Sequence, residues 1–593
     1  MNKYTIKDFL EIKFSGAPSF SHDNKNIAYL NNDNGTLQLY LINKDNGEIK
    51  QLTNYNCSLE FASFSPVENK ILFGMSKDGN ERTQFYTLDL QTNIINNITQ
   101  VDAKHNFGGW SMDGKLISYS TNERNGTDFD VYVHNIYTGE RKCLFDKGGW
   151  CESFGFSPNN KILVVGRFNS NIDGELFLVS LNNNQIQQIN PDKQVLYMRP
   201  SWLPDSSGFY FVNDFNSDIP KLTYFNINKF EMNDVLIPKS NLAGVSLTND
   251  GKDLALILNE EGYYRLYVYK VSDFSLLNTS NFPHGFIGKI SWSNDGKYLT
   301  FSYQNSKKNP DVYVWEKETG DIKQLTNSNC SINKEIFVEP EFFKYKSFDE
   351  LEIPSFIYYP KNKNINSPTV VYIHGGPEEQ FIPYFDPLIQ FLLYRGYVVV
   401  CPNIRGSNGY GRKYLALDDR EKRFDSIRDL EYLYYNLKNN ENIDINRIAL
   451  YGGSYGGYMV LAGLVFQPEF WAAGIDIVGI VNLVTFLKNT SPYRRKLRES
   501  EYGYLDKNMD DLIRLSPINY INNLKAPLLV IHGANDPRVP LSEAEQVVEK
   551  VKEIGKEAIL LVYSDEGHGL SKLKNRLDAF PKVADFLDKH LKN

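Results

Sequence analysis

Three residues in the last third of the chain have types, order and surroundings suited to nucleophilic chemistry: Ser454, Asp536 and His568. Ser454 lies in Gly452-Gly453-Ser454-Tyr455-Gly456-Gly457. The apolar residues before it, Ile448 to Tyr451, read as a buried strand. Those after it (Tyr458, Met459, Val460, Leu461, Ala462, Leu464) run too long for a strand and read as a buried helix. A G-x-S-x-G pattern between strand and helix is a sharp turn with a serine in strained backbone at the positive end of a helix. The flanking residues are small because a Cβ there would clash.

A serine hydroxyl attacks poorly until a base takes its proton. In the order nucleophile, acid, histidine, the base must follow Ser454, which leaves His532, His568 and His590 of the eight histidines. His590 belongs to a charged C-terminal helix and reads as surface. His532 ends the apolar strand Pro527–Ile531. His568 lies between Gly567 and Gly569, in a loop able to carry an imidazole over the serine, and is read as the base. Asp536, in a loop after the Pro527–Ile531 strand, is read as the carboxylate that orients it. Asp565 is the rival acid, but three residues from the histidine it suits capping of its own loop. Negative charge developing on a substrate carbonyl needs preorganised donors. One is the backbone N–H of Tyr455. The second is assigned to the Gly375-Gly376 turn of His374-Gly375-Gly376-Pro377, which follows the strand Val370–Ile373.

The elements that position these residues fill the second half of the chain. Strands are predicted at 353–359, 369–373, 398–401, 447–451, 475–478, 527–531 and 559–563, with helices at 386–393, 426–437 and 542–554. This alternation gives a mostly parallel sheet covered on both faces. The first half is a repeat. A phrase such as Trp110-Ser111-Met112-Asp113-Gly114-Lys115 or Trp292-Ser293-Asn294-Asp295-Gly296-Lys297 returns seven times. Aligned on Ser21, Ser65, Ser111, Ser157, Pro204, Thr248 and Ser293, the copies lie 44 to 47 residues apart. Each is followed by short apolar strands, and this period is that of a seven-bladed β-propeller. The expected organisation is a helical segment over 1–16 with Thr5-x-x-Asp8 as its cap, a propeller over 17–330, and an α/β-hydrolase domain over 331–593.

Composition bounds the rest. At 593 residues the chain exceeds one core. A net charge of −8 with interspersed signs argues against nucleic acid or an anionic membrane as the main partner. Five scattered cysteines without C-x-x-C spacing indicate neither a disulfide framework nor a zinc site. No run approaches a membrane span, and Met1 to Asp8 lacks a signal-peptide core, so the chain reads as cytoplasmic.

With these motifs in view, the chain resembles the prolyl oligopeptidase family of serine peptidases, in its acylaminoacyl-peptidase-like branch. The resemblance rests on His374-Gly375-Gly376-Pro377, Asn403-x-Arg405-Gly406-Ser407-x-Gly409-Tyr410-Gly411, the Ser454 segment, His532-Gly533-x-x-Asp536-x-Arg538-Val539-Pro540 and Gly567-His568-Gly569. It implies Ser454 as nucleophile with Asp536 and His568, Tyr455 and Gly376 as the oxyanion hole, and Arg538 as the group holding a substrate backbone carbonyl. The competing role for Arg538 is a loop ion pair. The glutamate pair by which dipeptidyl peptidases of the family hold a free amino terminus has no convincing equivalent here. A second departure is the charged stretch Asp418-Asp419-Arg420-Glu421-Lys422-Arg423, where the family often has glycine.

The expected activity is hydrolysis of short peptides through an acyl-enzyme, with no metal or cofactor and with the propeller excluding folded proteins. Homo-oligomerisation is left open. Two other readings fit the same residues: a carboxylesterase with this triad, and a propeller interaction protein with an idle hydrolase domain.

Overall fold

A computed structural model of the chain describes residues 3–189, 194–277, 282–362 and 365–592. Seven antiparallel sheets follow one another between Ser15 and Gln324. Six have four strands; the sixth has three among the described residues, with a bridge between Tyr269 and Leu276 beyond them. The recurring phrase has a physical cause. The hydroxyl of Ser111 donates to Asp113 at 2.6 Å while accepting the Leu116 N–H at 2.9 Å. Ser293 repeats this with Asp295 and Tyr298, and Ser157 with Asn159 and Ile162. One hydroxyl thus closes the turn between the first two strands of a blade. Pro204 has no hydroxyl, and in that blade Asp205 instead accepts from Ser207. Among the described residues no strand is exchanged between the first and last blades. They meet through the cluster of Phe20, Ile27, Tyr29, Tyr40, Ile42, Val312 and Val314, and through Asn294, which bonds Asn24 and the His22 carbonyl.

The second half is one eight-stranded sheet. Its strands are β1 (Glu341–Lys346), β2 (Glu352–Tyr358), β3 (Ser367–Ile373), β4 (Val398–Pro402), β5 (Ile443–Gly453), β6 (Ala473–Ile477), β7 (Leu528–Gly533) and β8 (Ala558–Tyr563). They lie in the order β1-β2-β4-β3-β5-β6-β7-β8, antiparallel at the β1–β2–β4 edge and parallel from β4 onward. The helices used below are α1 (Ile6–Leu10), α2 (Pro387–Tyr394), α3 (Arg423–Leu437), α4 (Tyr455–Phe466), α5 (Pro492–Tyr502), α6 (Leu541–Glu553) and α7 (Leu573–Leu591). Side chains of α3, α4 and α6 fill the core on one face of the sheet, and those of α1, α2 and α7 fill the other.

Three details differ from the sequence reading. Strand β1, Glu341-Phe342-Phe343-Lys344-Tyr345-Lys346, was not anticipated, because its three charged residues interrupt the apolar run. The first propeller strand already begins at Ser15. Helix α1 is not a free-standing segment. The Asp8 carboxylate accepts from the Thr5 N–H and hydroxyl, as the spacing implied, but Phe9 is buried in the hydrolase core, 5.4 Å from the Phe391 ring. The chain therefore starts in the hydrolase unit, crosses to the propeller and returns. The two crossings run side by side, with the Lys13 N–H donating to the Asn329 carbonyl at 2.9 Å. No helix among the described residues is long and apolar enough to cross a membrane.

The two ends of the charged stretch at 418–423, Asp418 and Arg423, turn inward, while Arg420 to Lys422 are exposed. Arg423 is wholly buried, with Asp418 at 2.8 Å, Glu501 as its second partner, and the rings of Tyr502 and Tyr455 stacked at 4.5 and 5.0 Å. Breaking a buried pair by removing one side strands the other charge. Arg423→Met should therefore lower stability by about 3–5 kcal/mol. Lys582→Met, which breaks the exposed pair with Asp578, should cost at most about 1 kcal/mol. Urea unfolding of the two variants side by side checks this; equal midpoints would contradict it.

Candidate active site

Strand β5 runs directly into α4 through Ser454, whose φ of 58° and ψ of −117° lie far from strand and helix values. Its N–H is tied to the Ile477 carbonyl at 2.8 Å. The turn is this tight because α4 presses against the end of β3. A Cβ on Gly456 would run into the carbonyl oxygens of Ile373 and His374. The same contact carries the His374–Pro377 turn to the serine. A Cβ built on Gly375 would lie 3.6 Å from the Ser454 Cβ. His374 braces this turn, its ring nitrogens 2.8 Å from the Gly375 carbonyl and the Ser407 hydroxyl. Gly376 lies in the same turn, and its carbonyl accepts from Arg498 at 3.2 Å. Tyr455 offers its N–H at the first turn of α4, while its ring points into the core and its hydroxyl donates to Asp418.

His568 comes from the loop between β8 and α7. Its Nδ1 is 2.6 Å from Asp536 Oδ2. Asp536 Oδ1 accepts the N–H groups of Arg538 at 2.8 Å and Val539 at 3.1 Å, so this wholly buried carboxylate has both oxygens engaged and a fixed aim. With Nδ1–H donated to Asp536, Nε2 is the ring atom left to accept a proton. Ser454, His568, Gly375, Gly376 and Arg538 line one cavity of about 360 Å³, of the size that takes small ligands. Among the described residues no hydrogen bond joins the Ser454 hydroxyl to His568, a contact that commonly tightens only with substrate in place.

Asp565 points elsewhere: Lys574 at 2.7 Å and Lys572 at 3.0 Å hold its carboxyl well below the usual range. His532 is buried behind Asp536, its Nε2 2.9 Å from the Val539 carbonyl. His590 lies on α7 against Glu557. Among the described residues one group of carboxylates is close enough to share an ion, Asp418 with Asp419 and Glu501, and Arg423 already stands among them as counter-cation.

The surroundings of Arg538 follow from its place after β7. It lines the cavity of Ser454, and its Nε is paired with Glu81, a residue of the propeller. Burial pushes the Glu81 carboxyl up, but Lys104 and Arg538 outweigh this and hold it down to about 2. Sequence reasoning missed Glu81 entirely, and with it Glu378, Glu379, Arg494 and Arg498 in the cavity wall. One signal was available for the arginines. Pro492 opens a helix on which Arg494 and Arg498 fall one turn apart, on one face.

A serine, an imidazole whose Nδ1 is held by a buried carboxylate, and a glycine turn meet at one cavity. That is the equipment of acyl transfer.

Comparison with known proteins agrees with this chemistry. Residues 383–593 match the model described as the prolyl oligopeptidase family, and residues 7–130 match one described as a TolB beta propeller domain. Dipeptidyl peptidase family member 6 of Caenorhabditis elegans is 23% identical over 642 residues, spanning 98% of this chain and 86% of its own. The acylamino-acid-releasing enzyme of Mus musculus is 27% identical over 252 residues, spanning 41% and 34%. A structure solved in a study of two prolyl endopeptidases superposes with a TM-score of 0.89 at 18% identity, covering 99% of this chain and 91% of that one.

The propeller also touches the histidine loop itself. The loop around Gly79 meets it backbone to backbone: a Cβ on Gly79 would run into Gly567. Lys572 bonds Asp78 at 2.7 Å, and Asn535 donates to the Asp78 carbonyl. Gly79→Val should push this loop away. Gly126→Val is the control, since Gly126 has a similar φ of +73° and nothing within 4 Å of an added Cβ. Amide exchange of residues 566–571 should speed up about tenfold or more in the first variant and not in the second, a loss of local stability of at least ~1.4 kcal/mol. Equal exchange in both would show that the contact does not hold the loop.

Proposed function

Because residues 383–593 belong to the prolyl oligopeptidase family, this chain is a serine-type peptidase, and we propose that it hydrolyses short peptides by way of an acyl-enzyme on Ser454. The observation that carries this reading is the 2.6 Å contact between His568 Nδ1 and the buried Asp536, with Ser454 in the same cavity beneath the propeller. In the proposed cycle His568 Nε2 takes the Ser454 proton as Oγ adds to the scissile carbonyl. The N–H of Tyr455 and the Gly375-Gly376 turn receive the oxyanion. His568 then gives the proton to the leaving amine, which departs. Water attacks the ester by the same steps in reverse roles. Arg538 holds a backbone carbonyl of the substrate, sharing its guanidinium with Glu81.

The curated relatives named above are called a dipeptidyl peptidase and an acylamino-acid-releasing enzyme, and the solved structure comes from work on prolyl endopeptidases. What these names share is cleavage of a peptide bond; they differ in which bond. We assign this chain an oligopeptidase or acylaminoacyl-peptidase role in the cytoplasm, in keeping with its five free cysteines. We attribute size selection to the propeller, which is joined to the hydrolase unit through Arg412 with Asp214 at 2.8 Å, Asn259 with Gln380 at 2.7 Å, and Tyr493 packed against Phe129 and Trp150.

Two measurements test the reading. Asp536→Asn should lower kcat by about 10⁴-fold through the wrong imidazole tautomer, while Asp565→Asn stays within a few-fold of the parent. The reverse pattern would move the acid to Asp565. Offered unfolded casein and a ten-residue peptide at equal bond concentration, the enzyme should cut the peptide and spare the casein. Comparable cleavage would show an openly accessible serine. Preference for a p-nitrophenyl ester with no turnover of any peptide would instead identify an esterase.

A further inference from the structure

Two of the three arginines lining the Ser454 cavity have a carboxylate each, and the third has none. Arg498 pairs with Glu378 at 2.8 Å, and Arg538 pairs with Glu81. Arg494, one helical turn before Arg498 on α5, has no ion-pair or hydrogen-bond partner for its guanidinium among the described residues. The nearest acid is already used. Glu81 takes Arg538 on Oε1, and on Oε2 it takes Lys104 at 3.1 Å and the Tyr493 hydroxyl at 3.3 Å. The cavity's other free charge, Glu379, stands beside Gly375 and makes no pair with Arg494.

This is not the condition of a surface arginine, which water satisfies. Burial, together with the like charges of Arg538 and Arg498, pushes the Arg494 guanidinium down to about 10, still fully protonated at neutral pH. A half-buried cation beside two others keeps its place at a cost unless an anion meets it. Among the described residues no carboxylate of the wall pairs with its guanidinium, so an anion that does so would arrive with whatever enters the cavity. A guanidinium is matched in shape to a carboxylate, which it binds through two parallel N–H groups.

We propose that Arg494 is a specificity-determining residue that binds a carboxylate of the peptide substrate. This deepens the peptidase reading and rests on it. The carboxylate can be the C-terminal one or that of an Asp or Glu side chain; the chemistry is the same, and the test separates them. Arg538 and Arg494 then divide the work. Arg538, with its charge met by Glu81, suits a neutral carbonyl, and Arg494, with its charge unmet, suits an anion.

The experiment uses matched peptides: one sequence with a free C-terminus and as the amide, and one amidated sequence with Glu or with Gln at each position in turn. The full-length enzyme should prefer the acid member of one pair by about 10- to 100-fold in kcat/KM, mainly through KM, as a charged hydrogen bond lost from one side predicts. In Arg494→Gln that ratio should fall to near one, and in Arg494→Lys, which keeps the charge without the fork, part of it should remain. The pair that shows the preference identifies the source of the carboxylate. Equal cleavage of every pair by the parent enzyme, or a preference that survives Arg494→Gln, overturns the proposal. Calorimetry of the same peptides on Ser454→Ala, with and without Arg494→Gln, keeps the two readings apart. Acid-selective binding that vanishes with Arg494→Gln, alongside a parent enzyme that cleaves no peptide, would sink the peptidase reading and leave Arg494 as the carboxylate site.

Discussion

The contact on which the site depends is the one between Gly456 and the carbonyl oxygens ending β3. Helix α4 can lie this close to the sheet only because no side chain intervenes. That closeness forces Ser454 into its strained turn and brings Gly375 and Gly376 within reach of it. The strain needs support, and the hydrolase core supplies it: eleven of the twelve residues of α4 are buried. Beneath Tyr455 the support is electrostatic. Arg423, clamped between Asp418 and Glu501 and stacked on two tyrosines, fixes the ring of Tyr455, the residue that follows Ser454. A rigid base of this kind lets backbone donors act without reorganising when charge develops.

The propeller is part of this apparatus as well as its cover. Its Glu81 sets the charge state around Arg538, and its Gly79 loop lies against the backbone of the histidine loop. Asn171 reaches across to Glu501 at 2.8 Å, which links the propeller to the Arg423 network too. Separation of the two units would therefore disturb the His568 loop, Arg538 and the Arg423 network together.

The sequence made much of this legible, for identifiable reasons. The propeller could be counted because the hydroxyl of Ser21, Ser111, Ser157, Thr248 or Ser293 finds its turn partner two residues on, a local need that repeats in five of the seven blades. Ser454, Asp536 and His568 could be picked out because each follows a strand, where a parallel sheet delivers its functional loops. What stayed hidden depends on distant pairs. Glu81 and Arg538 are 457 positions apart, and no local pattern joins them. The stretch from Asp418 to Arg423 stood out only as a departure from the family pattern, because nothing local shows that two of its charges are paired and buried. Arg494 and Arg498 were passed over in a segment whose polarity suggested surface, while the propeller above turns that surface into a cavity wall. Helix α1 was seen, but its docking on α2 and α7 was not, because five residues carry no sign of which unit they pack against.

The paired crossings at Lys13 and Asn329 have a consequence for how this chain can change. Since the segment that leaves the hydrolase and the segment that re-enters it are hydrogen-bonded neighbours, the propeller is an insertion whose two ends coincide. Replacing everything between them with a short splice would leave the path of the hydrolase backbone continuous, and grafting another ring of blades at the same point would require no rerouting of the sheet. The architecture is modular in its covalent plan even though it is interdependent in its electrostatics. Exchange of the cover alone would keep the Ser454 turn intact while removing the partner of Arg538.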